Sequence, residues 1–400
     1  MHLAERSIRQ PNEQKPAEGL RLALISGNYN YTRDGCNQAL NRLAGFLIEA
    51  GAQVRVYSPT TRTPAFEPVG DLVSAPSIGV PGRGEYRLAL GLTPALRADL
   101  QRFKPTLVHL SAPDILGAQA GRWGRRQGLP VVASLHTRFE TYLSYYGLDW
   151  LRPSAERYLD SFYGACDRVL APNAPLAELL ASKGSGDRVR VWGRGVDRVR
   201  FSPAARDTAW RRAMGVGDSQ IAVAFLGRLV MEKGLDVLAE TLNRLSDQPI
   251  RPLIIGDGPA RDFLQSRLPD AIFTGHLDGE ALGRAVSSAD ILFNPSLTEA
   301  FGNASLEGMA AGLAVLCPRA PSTSALISHG QDGVLVDDPG AEAYAAALRG
   351  LVDEPMRRLR LGRAARNSSA RYDWREICGS VLDVYRELGA VSDRRARTAA

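Results

Sequence analysis

The sequence predicts an α/β protein made of two doubly wound, Rossmann-like domains that face each other across a cleft, and three observations carry the prediction. Short apolar, β-branched runs alternate with longer helical stretches along nearly the whole chain, as βαβ units require. That rhythm stops once, in the Gly- and Pro-punctuated segment GRGVDRVRFSPAARD (193–207), and then restarts. At 400 residues the chain also exceeds what one hydrophobic core usually holds, so two domains are expected.

Residues 1–19 are polar, contain two prolines and read as a disordered leader. The runs LALIS (22–26), VRVYS (54–58), TLVHLSA (106–112), VVASLH (131–136), RVLAP (168–172) and VRVW (189–192) then read as the parallel strands of a first domain over 20–200. After the linker, IAVAFLG (221–227), PLIIGDG (252–258), AIFTG (271–275), ADILFNPS (289–296), AVLCP (314–318) and GVLVDD (333–338) build a second domain over 201–373. Residues 374–392 are expected to form a C-terminal helix that crosses back to the first domain, and 393–400 a tail.

Composition narrows the class. Hydrophobic residues at 44% and charged residues at 23% suit a soluble globular protein. No apolar run approaches the roughly 18 residues of a membrane span, and the charged first residues do not suit a signal peptide, so a cytoplasmic location is expected. Cys36, Cys166, Cys317 and Cys378 are scattered, without the spacing of a disulfide framework or a zinc knuckle. Residues 1–194 carry 24 Lys+Arg against 17 Asp+Glu, and the remainder 25 against 26. The first half therefore offers either a contact for an anionic membrane leaflet or a basic, solvated surface. No alternation of basic and aromatic residues marks a nucleic-acid groove, and nucleic acid is not expected as a partner.

In doubly wound sheets ligands meet the residues just beyond the strands, so the candidates are sought there. IAVAFLG runs into GRLVMEKG (227–234), which places Arg228 and Lys233 beside a helix N-terminus as a clamp for a diphosphate. A cation at the positive end of a helix is unfavourable unless an anion joins it, which favours a ligand there. The next strand ends in GDGP (256–259), whose glycines allow close backbone approach. In the first domain LALIS leads to Asp34-Gly35 ahead of an amphipathic helix, either a phosphate or sugar contact or a loop with an Asp cap.

The segment TEAFGNASLE (298–307) carries two glutamates. Glu299 falls in the loop after the strand ADILFNPS, and Glu307 lies more than a turn into a helix that opens at Gly302 and Asn303. The two carboxylates are therefore not expected to touch, and suit different parts of one elongated ligand. The amides of Phe301, Gly302 and Asn303 between them form a helix terminus fit for a phosphate.

Taken together, Glu299-x7-Glu307, GRLVMEKG, GDGP and the linker pair GVD and RFSP (195–203) resemble the family-four (group 1) retaining glycosyltransferases of the GT-B fold, over essentially residues 20–390. HTRFETYLSYYG (136–147) and WGRGVDRVRFSP (192–203) are most similar to the branch of sulfoquinovosyl-diacylglycerol synthases and GDP-mannose-dependent glycolipid mannosyltransferases. The resemblance implies a hexosyltransferase in which the first domain takes the acceptor and the second the nucleotide-sugar donor. It implies that Arg228 and Lys233 hold the donor diphosphate, Glu307 the ribose and Glu299 the transferred sugar, with Phe301, Gly302 and Asn303 offering amides nearby. His136 would stand beside the reacting sugar. Many members carry two glycines where this chain has Asp34-Gly35; Gly35 can still approach phosphate, and the role of Asp34 stays open.

The implied partners are a nucleotide sugar and a lipid or glycolipid acceptor, with peripheral contact to an anionic membrane; a soluble sugar acceptor is the alternative. No cofactor and no metal are expected, and the chain lacks the D-x-D motif of metal-diphosphate sites. Two rival functions share these motifs, a nucleotide-sugar 2-epimerase and a non-catalytic nucleotide-sugar binding module. A dinucleotide dehydrogenase fits less well, because no complete G-x-G-x-x-G follows the first strand of either domain.

Overall fold

The computed structural model describes residues 15–31, 35–80, 83–136 and 149–391, the side chains of residues 80 and 83–85 excepted. Each predicted run contains a strand. In chain order the strands are β1 (Arg21–Ile25), β2 (Gln53–Ser58), β3 (Asp71–Ser74), β4 (Ser77–Val80), β5 (Arg83–Ala89), β6 (Leu107–Leu110), β7 (Val131–Ser134), β8 (Arg168–Ala171), β9 (Val189–Val191), β10 (Ile221–Leu226), β11 (Ile250–Ile255), β12 (Ile272–Gly275), β13 (Ile291–Phe293), β14 (Ala314–Pro318) and β15 (Val334–Val336). The sequence reading missed β3, β4 and β5. They lie in a polar stretch rich in Gly, Pro and Ser, and β4 and β5 form a separate antiparallel hairpin rather than joining a main sheet.

One sheet has the order β3-β2-β1-β6-β7-β8-β9, the other β12-β11-β10-β13-β14-β15. Both orders reverse direction once, between β1 and β6 and between β10 and β13. Such reversals open the crevice in which doubly wound sheets hold ligands. By internal contacts the chain divides into Met1–Val132 with Val381–Ala400, and Ala133–Ser380, with β7 at the division.

In the second unit both faces of the β10–β15 sheet are covered, which is why its strands read as continuous apolar runs. Ala222, Ala224, Leu253, Ile255, Leu292 and Val315 point to one core with Leu306 and Met309 of helix Asn303–Ala310. Their neighbours Val223, Phe225, Ile254, Ile291, Phe293 and Leu316 point to the other, against Leu235, Leu238 and Leu242 of helix Leu235–Asn243. Gly308 lets its helix lie flat on the sheet, since a Cβ there would stand 2.6 Å from Leu292 Cδ2.

One expectation is corrected. Residues 15–19, placed in the leader, form a packed turn: Ala17 is fully buried and its amide bonds the Ala50 carbonyl at 2.8 Å. Residues 1–14 lie outside the described residues. The predicted linker 193–207 is held by hydrogen bonds. Arg366 donates to the carbonyls of Phe201 (2.7 Å), Ala310 (2.6 Å) and Arg198 (2.9 Å), and the Val196 amide bonds the Tyr372 carbonyl at 2.9 Å. Phe201 and Val196 are core residues, a role that a reading of polar punctuation overlooks.

The last helix is Trp374–Glu387. Its distal end packs in the first unit, where Tyr385 Oη hydrogen-bonds His109 Nδ1 at 2.6 Å in the interior of β6, and burial pulls the His109 pKa down to about 3. Cys166, Cys317 and Cys378 are buried thiols and Cys36 is half-buried. Among the described residues no helix is long and apolar enough to cross a membrane.

Candidate donor site at the strand exits of the second unit

The site grows from the reversal between β10 and β13, which pair in parallel through Val223–Ile291 and Ala224–Leu292. Beyond β10 the chain passes Arg228, makes a short 3-10 turn at Met231–Lys233 and enters helix Leu235–Asn243 through Gly234. Beyond β13 it runs through Asn294–Pro295–Ser296 to Glu299. The two exits are stitched together: Thr298 Oγ1 donates to the Glu232 carbonyl at 3.1 Å, and Lys233 Nζ lies 2.6 Å from Glu299 Oε1. Both side chains of that ion pair are largely shielded, at 26% and 17% exposure. The anion that Lys233 needs at the helix terminus is therefore supplied by Glu299, a partner the sequence reading did not pair with it.

Arg228 is half-buried on the same exit segment. Its backbone is fixed by the neighbouring strand exit, because the Leu229 amide bonds the Asp257 carbonyl at 2.9 Å. The GDGP glycines are explained here. A Cβ on Gly256 would fall 1.9 Å from the Gly227 carbonyl oxygen, and one on Gly258 would fall 2.4 Å from that of Leu229. These glycines pack two strand exits together and so shape the segment that carries Arg228.

Helix Asn303–Ala310 starts from Gly302, whose φ of 100° lies in the left-handed region that favours glycine. The first intrahelical bond runs from the Leu306 amide to the Gly302 carbonyl at 3.0 Å. The amides ahead of it in the first turn are those of Asn303, Ala304 and Ser305, so the predicted trio shifts along the chain and Phe301 precedes the turn. Phe301 contributes its ring instead, buried and edge-on to Tyr372 at 6.0 Å. Glu307 sits on the second turn, half-buried. Burial pushes its carboxyl up to about 7, and the charge of Arg200 pulls in the opposite direction. Glu299 and Glu307 thus answer to different cations, Lys233 and Arg200, and do not act as a proton-sharing pair.

Two further strand exits reach the same loop, and a third is tied to one of them. After β8, Asn173 caps the next helix by accepting from the Leu176 amide at 3.0 Å, while its Nδ2 donates to the Ala300 carbonyl at 2.7 Å. After β9, the Gly193 backbone lies close enough to Phe301 that a Cβ would meet its ring at 3.6 Å. After β7, His136 is held between Ser134 Oγ at 2.7 Å and Arg194 Nη2 at 2.6 Å. His136, Arg228, Lys233, Glu299, Phe301, Gly302, Asn303 and Glu307 therefore all lie in the second unit. Gly35 opens helix Gly35–Glu49 in the first unit, and Asp34 lies outside the described residues. So do residues 137–148, nearly all of HTRFETYLSYYG.

The sequence reading gave no role to Asn173, Arg194 or Arg200. Asn173 had a visible signal, since Asn before Ala-Pro-Leu is an N-cap in waiting. A depression of about 580 Å³ also exists in the first unit, lined by Arg21, Arg55, Asp71, Arg102 and Phe103. It lies at the amino ends of β1–β3, the wrong end for a doubly wound site, and Arg55 is committed to Asp71 and Asp99 at 2.6 and 3.1 Å.

The chain is similar to known proteins over most of its length. Residues 33–200 match the model of Glycosyltransferase Family 4, and residues 220–354 that of Glycosyl transferases group 1. A GDP-mannose-dependent alpha-mannosyltransferase of Mycolicibacterium smegmatis is 33% identical over 388 residues, covering 95% of this chain and 100% of its own. One of the same name from Corynebacterium glutamicum is 30% identical, over 94% of this chain and 91% of its own. A sulfoquinovosyl transferase of Arabidopsis thaliana is 30% identical, over 82% of this chain and 66% of its own. Among solved structures, a sucrose-phosphate synthase of Thermosynechococcus elongatus superposes with a TM-score of 0.74 at 20% identity, covering 93% of this chain and 99% of that one. The Anabaena protein HepE in complex with UDP and glucose superposes with a TM-score of 0.72 at 17% identity, over 91% and 99%.

Proposed function

The chain belongs to the family-four, group 1 glycosyltransferases of the GT-B fold, and on that premise we propose that it moves mannose from GDP-mannose to a hydroxyl of a lipid or glycolipid, with retention of configuration and without a resident metal. The observation that carries this reading is the meeting of Lys233 and Glu299 at the β10–β13 reversal, with Arg228 on one side and the first turn of helix Asn303–Ala310 on the other. A diphosphate leaving group develops negative charge, and two cations and a helix terminus are the groups that stabilise it.

In this reading Arg228, Lys233 and the amides of Asn303, Ala304 and Ser305 hold the diphosphate. Glu299 turns to hydroxyls of the transferred sugar and Glu307 to the ribose, as acidic residues do in dinucleotide sites. His136 orients the sugar, and the leaving phosphate takes the acceptor proton on the same face. Mannose as the sugar is supported by the names of the full-length relatives. The lipid acceptor is supported by charge: Met1–Val132 with Val381–Ala400 carries 20 Lys+Arg against 13 Asp+Glu, and Ala133–Ser380 carries 29 against 30. The same excess supports peripheral attachment to the inner face of the cell membrane.

The test is a thermal-shift panel of GDP-mannose, UDP-glucose, UDP-glucuronate and UDP-sulfoquinovose, followed by transfer assays on lipid extracts with and without EDTA. GDP-mannose should stabilise the chain most. The product should carry an α-mannosyl linkage by NMR, at an undiminished rate in EDTA. A stronger shift with a UDP-sugar overturns the donor, a β-linkage the retention, and release of an isomerised free sugar the transferase reading itself.

A further inference from the structure

The geometry points to Arg194 as the positioning residue that decides which nitrogen of His136 carries the proton. Its consequence for transfer rests on the function proposed above; its consequence for the imidazole rests on the hydrogen bonds alone.

Arg194 is 4% exposed and emerges from the GRGVD segment just after β9. One arm of its guanidinium, Nη1, donates to the carbonyls of Trp192 and Gly193 at 3.1 and 3.0 Å. The other arm, Nη2, reaches His136 Nδ1 at 2.6 Å. The same guanidinium lies over the indole of Trp192, 5.0 Å from the ring centroid, and His136 stands edge-on to that indole at 5.3 Å and 76°. Trp192 is itself fully buried. The fork, the imidazole and the indole form one packed unit that ties the exit of β7 to the exit of β9.

A guanidinium has five donors and no acceptor. Nδ1 of His136 must therefore present its lone pair to Arg194, and the proton of the neutral ring sits on Nε2, which faces Ser134 Oγ at 2.7 Å. The tautomer is dictated by the hydrogen bond at the opposite nitrogen. A doubly protonated ring would set N–H against N–H at that distance. The imidazole consequently meets a sugar that develops positive charge as a neutral dipole of fixed direction. Arginine is the residue for this task, because its planar fork serves two carbonyls and one imidazole at once, whereas a lysine offers a single point charge.

The chain has five histidines, so His136 can be observed directly. The full chain is labelled with ring-¹⁵N histidine, and the His136 signals are assigned by their loss in His136→Asn. The wild type should show Nε2–H and a bare Nδ1. Arg194→Met should lose that single tautomer and lower kcat with GDP-mannose by about 10-fold or more, because a small misplacement of a positioned group is costly. The donor KM should stay within about 3-fold, since binding by Lys233 and Glu307 is untouched. Arg194→Lys, which still donates, should keep the tautomer and recover part of kcat. A proton on Nδ1 in the wild type overturns the proposal, and so does an Arg194→Met chain that keeps both tautomer and kcat. If Arg194→Met does not fold by near-ultraviolet circular dichroism, the wild-type and Arg194→Lys spectra decide. A wild type that transfers no sugar from any donor removes the transferase reading and leaves the tautomer to be judged by the same spectra.

Discussion

The ammonium of Lys233 stands 2.6 Å from Oε1 of Glu299, across 66 residues of sequence, because β10 and β13 are adjacent in the sheet and their exits leave on the same side. The two side chains are more than two-thirds shielded, so the pair interacts more strongly than a surface ion pair. Lys233→Ala and Glu299→Gln should each lower kcat/KM by about 100-fold, the scale for losing one preorganised group at a developing charge. The double variant should fall short of the product of the two, with a coupling of about 1 kcal/mol or more, as expected for residues in contact. Strict additivity in a double-mutant cycle would show that the two side chains act independently of each other.

Glu307 provides a pH prediction with a definite sign. Its carboxyl is pushed by burial from an ordinary 4.5 to about 7 in the folded chain. Between those values the folded state binds more protons than the unfolded one, so stability falls as pH rises through the window and levels off above it. Glu307→Gln removes that dependence. It should be more stable than the wild type by about 3 kcal/mol at pH 8, nearly equal to it at about pH 4, and weaker for the donor, since an amide replaces an acceptor of ribose hydroxyls. Urea midpoints at the two pH values check this; a Gln variant that is less stable at pH 8 would contradict it.

Gly256 is a steric prediction. A Cβ there would lie 1.9 Å from the Gly227 carbonyl oxygen, and φ is 137°. Gly256→Ala should cost at least about 3 kcal/mol and move the exit segment that carries Arg228, so donor affinity falls even where the protein is folded. Chemical denaturation combined with calorimetric donor titration reads both effects.

Arg366 holds the segment that follows β9. Replacement by Ala leaves the carbonyls of Phe201, Ala310 and Arg198 without this donor and should cost about 2 kcal/mol. Activity well below the melting temperature should be nearly normal, because no donor-site group is touched. Thermal melts set beside initial rates separate the two effects.

Much of the scaffold was readable in one dimension because its causes are local. Parallel strands covered on both faces must be apolar in every residue, so IAVAFLG and AVLCP declared themselves as β10 and β14. The hairpin β4–β5 did not: its pairing is local, but its residues lack that apolar signature and its Gly, Pro and Ser read as loop. Arg228, Lys233, Glu299 and Glu307 were singled out by residue type and position after a strand, and His136 by the family resemblance. Their partners were not, because a partner is set by which strand exits the sheet order brings together. The order β12-β11-β10-β13 put Lys233 on Glu299, and the exits of β7 and β9 put Arg194 on His136. Even the predicted linker followed this rule. Its glycines and prolines were visible in the chain, but that it is a strap packed against the second unit depended on Arg366, more than 150 residues away, reaching it in three dimensions.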